Sequence, residues 1–69
     1  MSEIEIILNG ERRRVPEPSS LADLLQYLDL DPRTVVVELN RSIVRRANLS
    51  TTPLGSGDSV ELVHFVGGG

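Results

Sequence analysis

An Asn9-Gly10 pair directly after an alternating segment is the sequence feature that most constrains the fold. Apolar and polar residues alternate over residues 3–8, which is typical of a half-buried strand. Asn and Gly tolerate the positive φ angles of a type I′ turn, so a second strand is predicted from Glu11 to Val15. A two-residue turn pairs Ile6 with Arg13. We expect the stem of Arg13 to cover the core edge with its head in water, rather than a bulge to shift the register.

One amphipathic helix is predicted after this hairpin. Ser20 and Asp23 have the spacing of a capping box, in which Ser20 is the N-cap residue. Leucines then recur on one helical face, at Leu21, Leu24, Leu25 and Leu28. Pro32 is expected to end the helix near Leu30.

The second half of the chain is predicted to add the remaining strands. The β-branched run at 35–39 is typical of a central strand, and its inner residues are expected to be Val35, Val37 and Leu39. A short strand at 43–44 and a last strand at 60–66 follow, separated by a loop and a turn at 55–58. Leu49 and Leu54 are expected to anchor the loop, which includes one helical turn. The fold class is therefore α+β, with a mixed sheet of four to five strands packed on one main helix.

Composition limits the partners and the chemistry. The chain has 69 residues, a net charge of -3 and an isoelectric point near 4.9, which argue against nucleic acid or an anionic membrane as the main partner. It has no cysteine, and all seven basic residues are arginine, so no side chain can carry a persulfide or form a Schiff base. With no targeting signal recognised, we expect a cytoplasmic location.

No pattern in the body of the domain predicts an active site. His64 is the single histidine and belongs to an apolar strand, while Glu3 and Glu5 share the exposed side of the first strand. We therefore expect no catalytic residue, no metal site and no bound cofactor.

The chain ends in Gly67, Gly68 and Gly69. Glycines resist ordering and have no Cβ, so we expect a domain at residues 1–66 and a flexible tail at 67–69 that can enter a narrow passage. Fully extended, the tail places its carboxylate about 10 Å beyond the last strand. The alternative is a frayed end or a processing remnant.

Alternation also predicts an apolar group on the side of the sheet away from the helix. Its members are Ile7, Val36, Val63 and Phe65, close to the tail, and we interpret them as a partner interface. The alternative is that they are exposed apolar residues without a role.

The order of the elements and several motifs also indicate a family. The motifs are Val37–Val44, Pro53-Leu54, Gly57-Asp58, Val60–Val63 and Phe65–Gly69. They resemble the ThiS family of sulfur carrier proteins in thiamin (thiazole) biosynthesis, which has the β-grasp, ubiquitin-like fold. Arg45 is a departure, because many members have proline there.

The resemblance implies a carrier protein rather than an enzyme. In proteins like ThiS, a ThiF-type adenylating enzyme uses ATP and Mg to activate the terminal glycine, here Gly69. A persulfide sulfur donor then converts it to a thiocarboxylate. This group supplies sulfur to a thiazole synthase of the ThiG type, whose active site the tail of Gly67 and Gly68 would enter.

Three alternatives remain open from the sequence. A carrier of the molybdopterin synthase small-subunit type would share the tail chemistry but serve another acceptor. A ubiquitin-like modifier would join its tail to lysines of target proteins. A plain interaction module would not need its terminal glycines.

Overall fold

The computed structural model describes residues 2–18 and 20–65. Within them lie strands β1 (Glu3–Leu8), β2 (Glu11–Pro16), β3 (Val35–Leu39), β4 (Ser42–Val44) and β5 (Ser59–His64), and helix α1 (Leu21–Tyr27). Two 3₁₀-helices span Pro32–Thr34 and Arg46–Thr51. The strands form one sheet in the order β2-β1-β5-β3-β4. The β1–β5 pair is parallel and the other pairs are antiparallel, so the predicted mixed sheet is confirmed with five strands.

The first hairpin has the predicted register. Asn9 and Gly10 have φ angles of 49° and 83°, as a type I′ turn requires. Ile6 pairs with Arg13 without a bulge, and Ile6 is buried while Arg13 is exposed. The expected regular pairing is therefore confirmed, and β2 extends one residue further than predicted, to Pro16.

Helix α1 begins as predicted but ends earlier. The Ser20 hydroxyl oxygen accepts a hydrogen bond from the Asp23 backbone N–H at 3.3 Å. The helix ends at Tyr27, so the predicted end near Leu30 was wrong. Asp29 adopts a left-handed φ of 60°, and the Leu30 N–H donates to the Leu25 carbonyl at 2.9 Å, which together form a Schellman-type end. This local motif ends the helix before Pro32, which instead begins the first 3₁₀-helix.

The second hairpin turns at Asn40 and Arg41, with φ angles of 50° and 73°. Leu39 pairs with Ser42, which starts β4 one residue before the predicted strand. The loop that follows holds a longer 3₁₀-helix than the single turn expected. Leu49 and Leu54 are buried, which confirms their predicted role as anchors.

A small core lies between α1 and one face of the sheet, called here the covered face. Its buried members are Ile6, Val15, Leu21, Leu24, Leu25, Val35, Val37, Leu49, Leu54, Val60 and Leu62. His64 alternates onto the side of Val60 and Leu62 but is exposed. Strand β5 begins one residue before the predicted strand and ends at His64, with Phe65 outside it, so the predicted extension to residue 66 was wrong. The predicted boundary between domain and tail lies outside the described residues.

Candidate docking face

Three of the four predicted interface residues lie together on the other face of the sheet, called here the open face. Val36 and Val63 are directly opposite each other on β3 and β5. Phe65 continues this ladder, because its N–H donates to the Thr34 carbonyl at 3.3 Å. The three apolar residues are 37%, 51% and 47% exposed, respectively. They therefore form an uncovered apolar area just before the C-terminal tail.

Ile43 extends this area and was not predicted. It is 69% exposed, and it borders a shallow groove of about 290 Å³ together with Val36 and Phe65. Its neighbour Val44 pairs with the buried Val37, so alternation along β4 sends Ile43 to the open face. That signal was present in the sequence once β4 was paired with β3. We call Val36, Ile43, Val63 and Phe65 the open-face patch.

Ile7, the fourth predicted interface residue, lies elsewhere on the open face. It pairs with Ser59 at the beginning of β5 and with Arg12 on β2. Val63 is four residues further along β5, about 13 Å at the rise of a strand. Ile7 is only half-buried, but the structure does not bring it together with the open-face patch.

Two carboxylates border the patch on the side away from the tail. Glu38 and Glu61 are directly opposite each other on β3 and β5, one open-face row from Val36 and Val63. Among the described residues, the ion pairs found are Arg14–Glu3 and Arg33–Asp31, and neither involves these two carboxylates. The open face is thus acidic next to its apolar area.

Arginines border the same patch near the tail. Arg33, Arg45 and Arg46 line the shallow groove beside Ile43 and Phe65. Arg33 forms a forked pair with Asp31, with an Nη2–Oδ2 distance of 2.9 Å. These hydrogen bonds lower the pKa of Asp31 from 3.8 to about 2. Among residues 2–18 and 20–65, neither Arg45 nor Arg46 forms such an ion pair, although the charge of Arg46 also helps to lower the pKa of Asp31.

Two turn asparagines fix the strand that precedes the tail. Asn9 Oδ1 accepts a hydrogen bond from the Leu62 N–H at 2.7 Å, across 53 residues of sequence. Asn40 Oδ1 accepts one from the Ser59 N–H at 2.9 Å. Each hairpin therefore holds β5 through its turn as well as through strand pairing. This role was not predicted, because the Asn9-Gly10 pattern indicates only the local turn.

A second groove lies on the helix side of the domain. It has a volume of about 520 Å³, and the residues that line it include Leu25, Leu30, Leu49, Asp29 and Arg46. No pattern in the sequence predicted this groove. It forms where α1 ends early and the chain turns into the first 3₁₀-helix.

Comparison with known proteins decides the family. Residues 6–69 match the ThiS family, which is nearly the whole chain. The chain belongs to the ThiS family. The ThiS resemblance noted in the sequence is thereby confirmed, and the matched range includes the three terminal glycines.

Relatives and solved structures of ThiS proteins agree with this assignment. The chain is 36% identical over 53 residues to the sulfur carrier protein ThiS of Bacillus subtilis, covering 77% of this chain and 80% of that one. It also resembles the crystal structure of the thiamine biosynthesis protein ThiS from Geobacter metallireducens, with a TM-score of 0.80 and 32% identity. That match covers 96% of this chain and all of the other, and it confirms the β-grasp fold.

A third relative is a much longer protein. The chain is 38% identical over 66 residues to a thiazole synthase of Magnetococcus marinus, covering 96% of this chain but 20% of the synthase. This ThiS-family chain thus spans about a fifth of that relative, which contains a ThiS-like segment.

Two classes of feature are not found in the part of the ThiS-family chain that the structure describes. No three His, Asp or Glu side chains within it are grouped as metal ligands would be. None of its helices is long and apolar enough to cross a membrane. Gly67, Gly68 and Gly69, predicted as the reactive tail, lie outside the described residues.

Proposed function

We propose that this ThiS-family chain is a sulfur carrier in thiazole formation for thiamin, and that its Gly69 carboxylate carries the sulfur. The observation that supports this most is the family match, which extends to residue 69 and thus includes the terminal glycine. A relative of similar length is a sulfur carrier protein ThiS, which points to the same role. The chain itself acts as a carrier and not as a catalyst.

The chemistry begins with an unreactive group. A terminal carboxyl has a pKa near 3.3–3.7, so at neutral pH it is an anion and a poor electrophile. A ThiF-type enzyme with ATP and Mg would form the acyl-adenylate on Gly69 and release pyrophosphate. A persulfide sulfur then attacks the acyl carbon and AMP leaves. Cleavage of the resulting S–S bond by a thiol releases the thiocarboxylate.

The absence of cysteine from the sequence fits this scheme. No side chain of the chain can hold sulfane sulfur, which is consistent with the proposal that the sulfur is carried on the terminus. No lysine is present either, so the chain cannot be extended by isopeptide bonds to itself.

The acceptor enzyme is proposed to be a thiazole synthase. The thiazole synthases of Magnetococcus marinus and Paramagnetospirillum magneticum each contain a segment similar to this chain, over 20% of their length. A segment present within the synthase is expected to work next to it. We therefore propose that this chain, as a separate protein, docks on a synthase of the same class.

The open-face patch is the proposed docking surface for these enzymes. Its four apolar side chains lie uncovered where β5 ends, so a protein that binds them holds the tail within reach of its active site. Burying such a patch is favourable by about 25 cal/mol per Å² of apolar surface. Ile7 lies about 13 Å along the sheet and would touch only a partner with a larger footprint.

The test is intact-mass measurement of the full chain after incubation with the ThiF-type enzyme of the same genome, ATP, Mg and a persulfide donor. We expect one oxygen to be replaced by sulfur, with fragmentation placing the change on Gly69. A chain lacking Gly68 and Gly69 is the control and should gain no sulfur. Lysine-linked conjugates in cells, or an unchanged mass with active enzyme, would contradict the proposal.

A further inference from the structure

The charged residues around the open-face patch are arranged in a way that does not stabilise the fold. Glu38 and Glu61 are directly opposite across β3 and β5, where Cβ atoms are about 4.5–5.5 Å apart. Like charges in that position destabilise a sheet. No arginine of the described residues forms an ion pair with either of them. Two carboxylates are therefore held together at some cost to stability.

The β4 edge of the patch, next to Phe65, has the opposite charge. Arg45 follows β4 and, by continuing its register with β3, lies level with Val36. Arg45 and Arg46 line the groove beside Phe65, and among the described residues neither has a carboxylate within ion-pair distance. In a chain of net charge -3, two arginines without a close ion-pair partner therefore lie beside Phe65, and the charge of Arg46 acts on Asp31 only as one of the weaker influences that lower its pKa.

On the remainder of the open face, positive and negative charges are not separated in this way. On β1 and β2, Arg14 is directly opposite Glu5 and lies 3.9 Å from the Glu3 carboxylate. Positive and negative charges there alternate and offset one another locally. The charge separation is therefore confined to the surroundings of the open-face patch.

We propose that the ThiF-type enzyme that receives the tail has a docking surface with an apolar centre, a basic side chain that meets Glu38 and Glu61, and carboxylates that meet Arg45 and Arg46. The proposal builds on the docking role given above and adds the chemistry of the partner. Apolar contact alone allows two orientations that differ by a half turn. The charges allow one, because the reversed orientation places like charges against each other across the interface.

A single docking orientation matters for the delivery of the C-terminal tail. The described part of the chain ends at Phe65, beside Arg45 and Arg46, so a fixed orientation presents this end of the domain to one part of the partner. The carboxylate row lies about 7 Å from the Val36–Val63 row, a spacing of two strand residues. A partner with matching charges at this spacing binds in one register.

Charge reversal at each border provides the test. The full chain is titrated into the ThiF-type enzyme of the same genome, and Kd is measured at about 0.05 M and about 0.5 M NaCl, where screening differs greatly. The variants are Glu61→Arg and the pair Arg45→Glu with Arg46→Glu. The matched controls are Glu5→Arg and Arg12→Glu, which reverse charge on the β1–β2 part of the same face.

We expect both border variants to raise Kd tenfold or more at low salt and less at high salt, while the controls stay within threefold of wild type. Glu61→Arg is especially informative, because it removes the repulsion with Glu38. Its melting temperature should therefore stay the same or rise while its binding weakens. If Glu61→Arg lost binding because it unfolds, its melting temperature would fall.

The outcomes separate this proposal from the proposed function. Folded border variants that bind within twofold of wild type would overturn the charge pattern, even if wild type gains sulfur normally. A wild type that binds with the predicted charge dependence but gains no sulfur would overturn the carrier chemistry and support the charge pattern. Absence of wild-type binding would overturn both.

Discussion

Two neighbouring residue pairs on β3 and β5 show how differently the two faces of the sheet are used. Val37 and Leu62 face each other on the covered face and are 2% and 8% exposed. Val36 and Val63 face each other one residue away, on the open face, and are 37% and 51% exposed. The residue types are nearly the same, so α1 makes the difference. Apolar contacts on the covered face stabilise the fold, and those on the open face remain available for binding.

The largest expected effect comes from truncating adjacent residues of β5. Leu62→Ala removes side-chain volume from the core and should lower the free energy of unfolding by about 2–5 kcal/mol. Val63→Ala, on the next residue, should change it by about 0.5 kcal/mol or less, since its side chain is half exposed. Urea unfolding followed by circular dichroism measures both. Equal losses would show that both faces contribute to the core.

The second-largest expected effect is a change in partner binding and not in stability. Phe65→Asp places a charge in the open-face patch and should raise Kd for the ThiF-type enzyme at least tenfold, which is about 1.4 kcal/mol. Its far-UV spectrum and urea midpoint should remain close to those of wild type. His64→Asp is the matched control, because its side chain alternates to the other side of β5. Unfolding of the Phe65 variant would mean that the open face is part of the core.

Sequence patterns were sufficient for most of the fold, because alternation and turn chemistry are local. The register Ile6–Arg13, the N-cap at Ser20 and the inner residues Val35 and Val37 all follow from nearest neighbours in the chain. The early end of α1 was missed, because Pro32 is an obvious stop signal, whereas the left-handed Asp29 has no comparable one.

The candidate site was predicted less completely, since it depends on strand order. Ile7 and Val63 share a face by alternation, but only the parallel pairing of Ile7 with Ser59 shows that they are far apart. The opposition of Glu38 and Glu61 likewise needs the β3–β5 register. Ile43 joins the patch only once β4 is paired with β3.

A smaller effect should come from a turn that touches neither face. Arg41 adopts a φ of 73°, which costs a residue with a side chain about 1–2 kcal/mol and glycine much less. Arg41→Gly should therefore stabilise the chain by about 0.5–1 kcal/mol, after the greater freedom of glycine in the unfolded state is subtracted. Gly10→Ala at the first hairpin is the reciprocal control and should destabilise it. Kd for the partner should not change in either variant, since both turns lie outside the open-face patch.

The smallest expected effect is the pH dependence of the ion pair beside the groove. Arg33 hydrogen bonds lower the pKa of Asp31 from 3.8 to about 2, so the folded state binds this proton less readily than the unfolded state. The pair therefore contributes stability above pH 3.8, and the contribution is lost as the pH falls toward about 2. Because both side chains are exposed, the contribution is small and sensitive to salt.

The variant Asp31→Asn tests this. It keeps an oxygen that can accept the hydrogen bond from the Arg33 backbone N–H, 2.9 Å in the wild type, but removes the charge. Melting temperatures of wild type and this variant should differ slightly near pH 6 and converge near pH 2. A melting-temperature difference that grows as the pH falls would show that the charge on Asp31 opposes folding. A large difference that does not change with pH would show that the segment around Asp31 and Arg33 stabilises the fold independently of this charge.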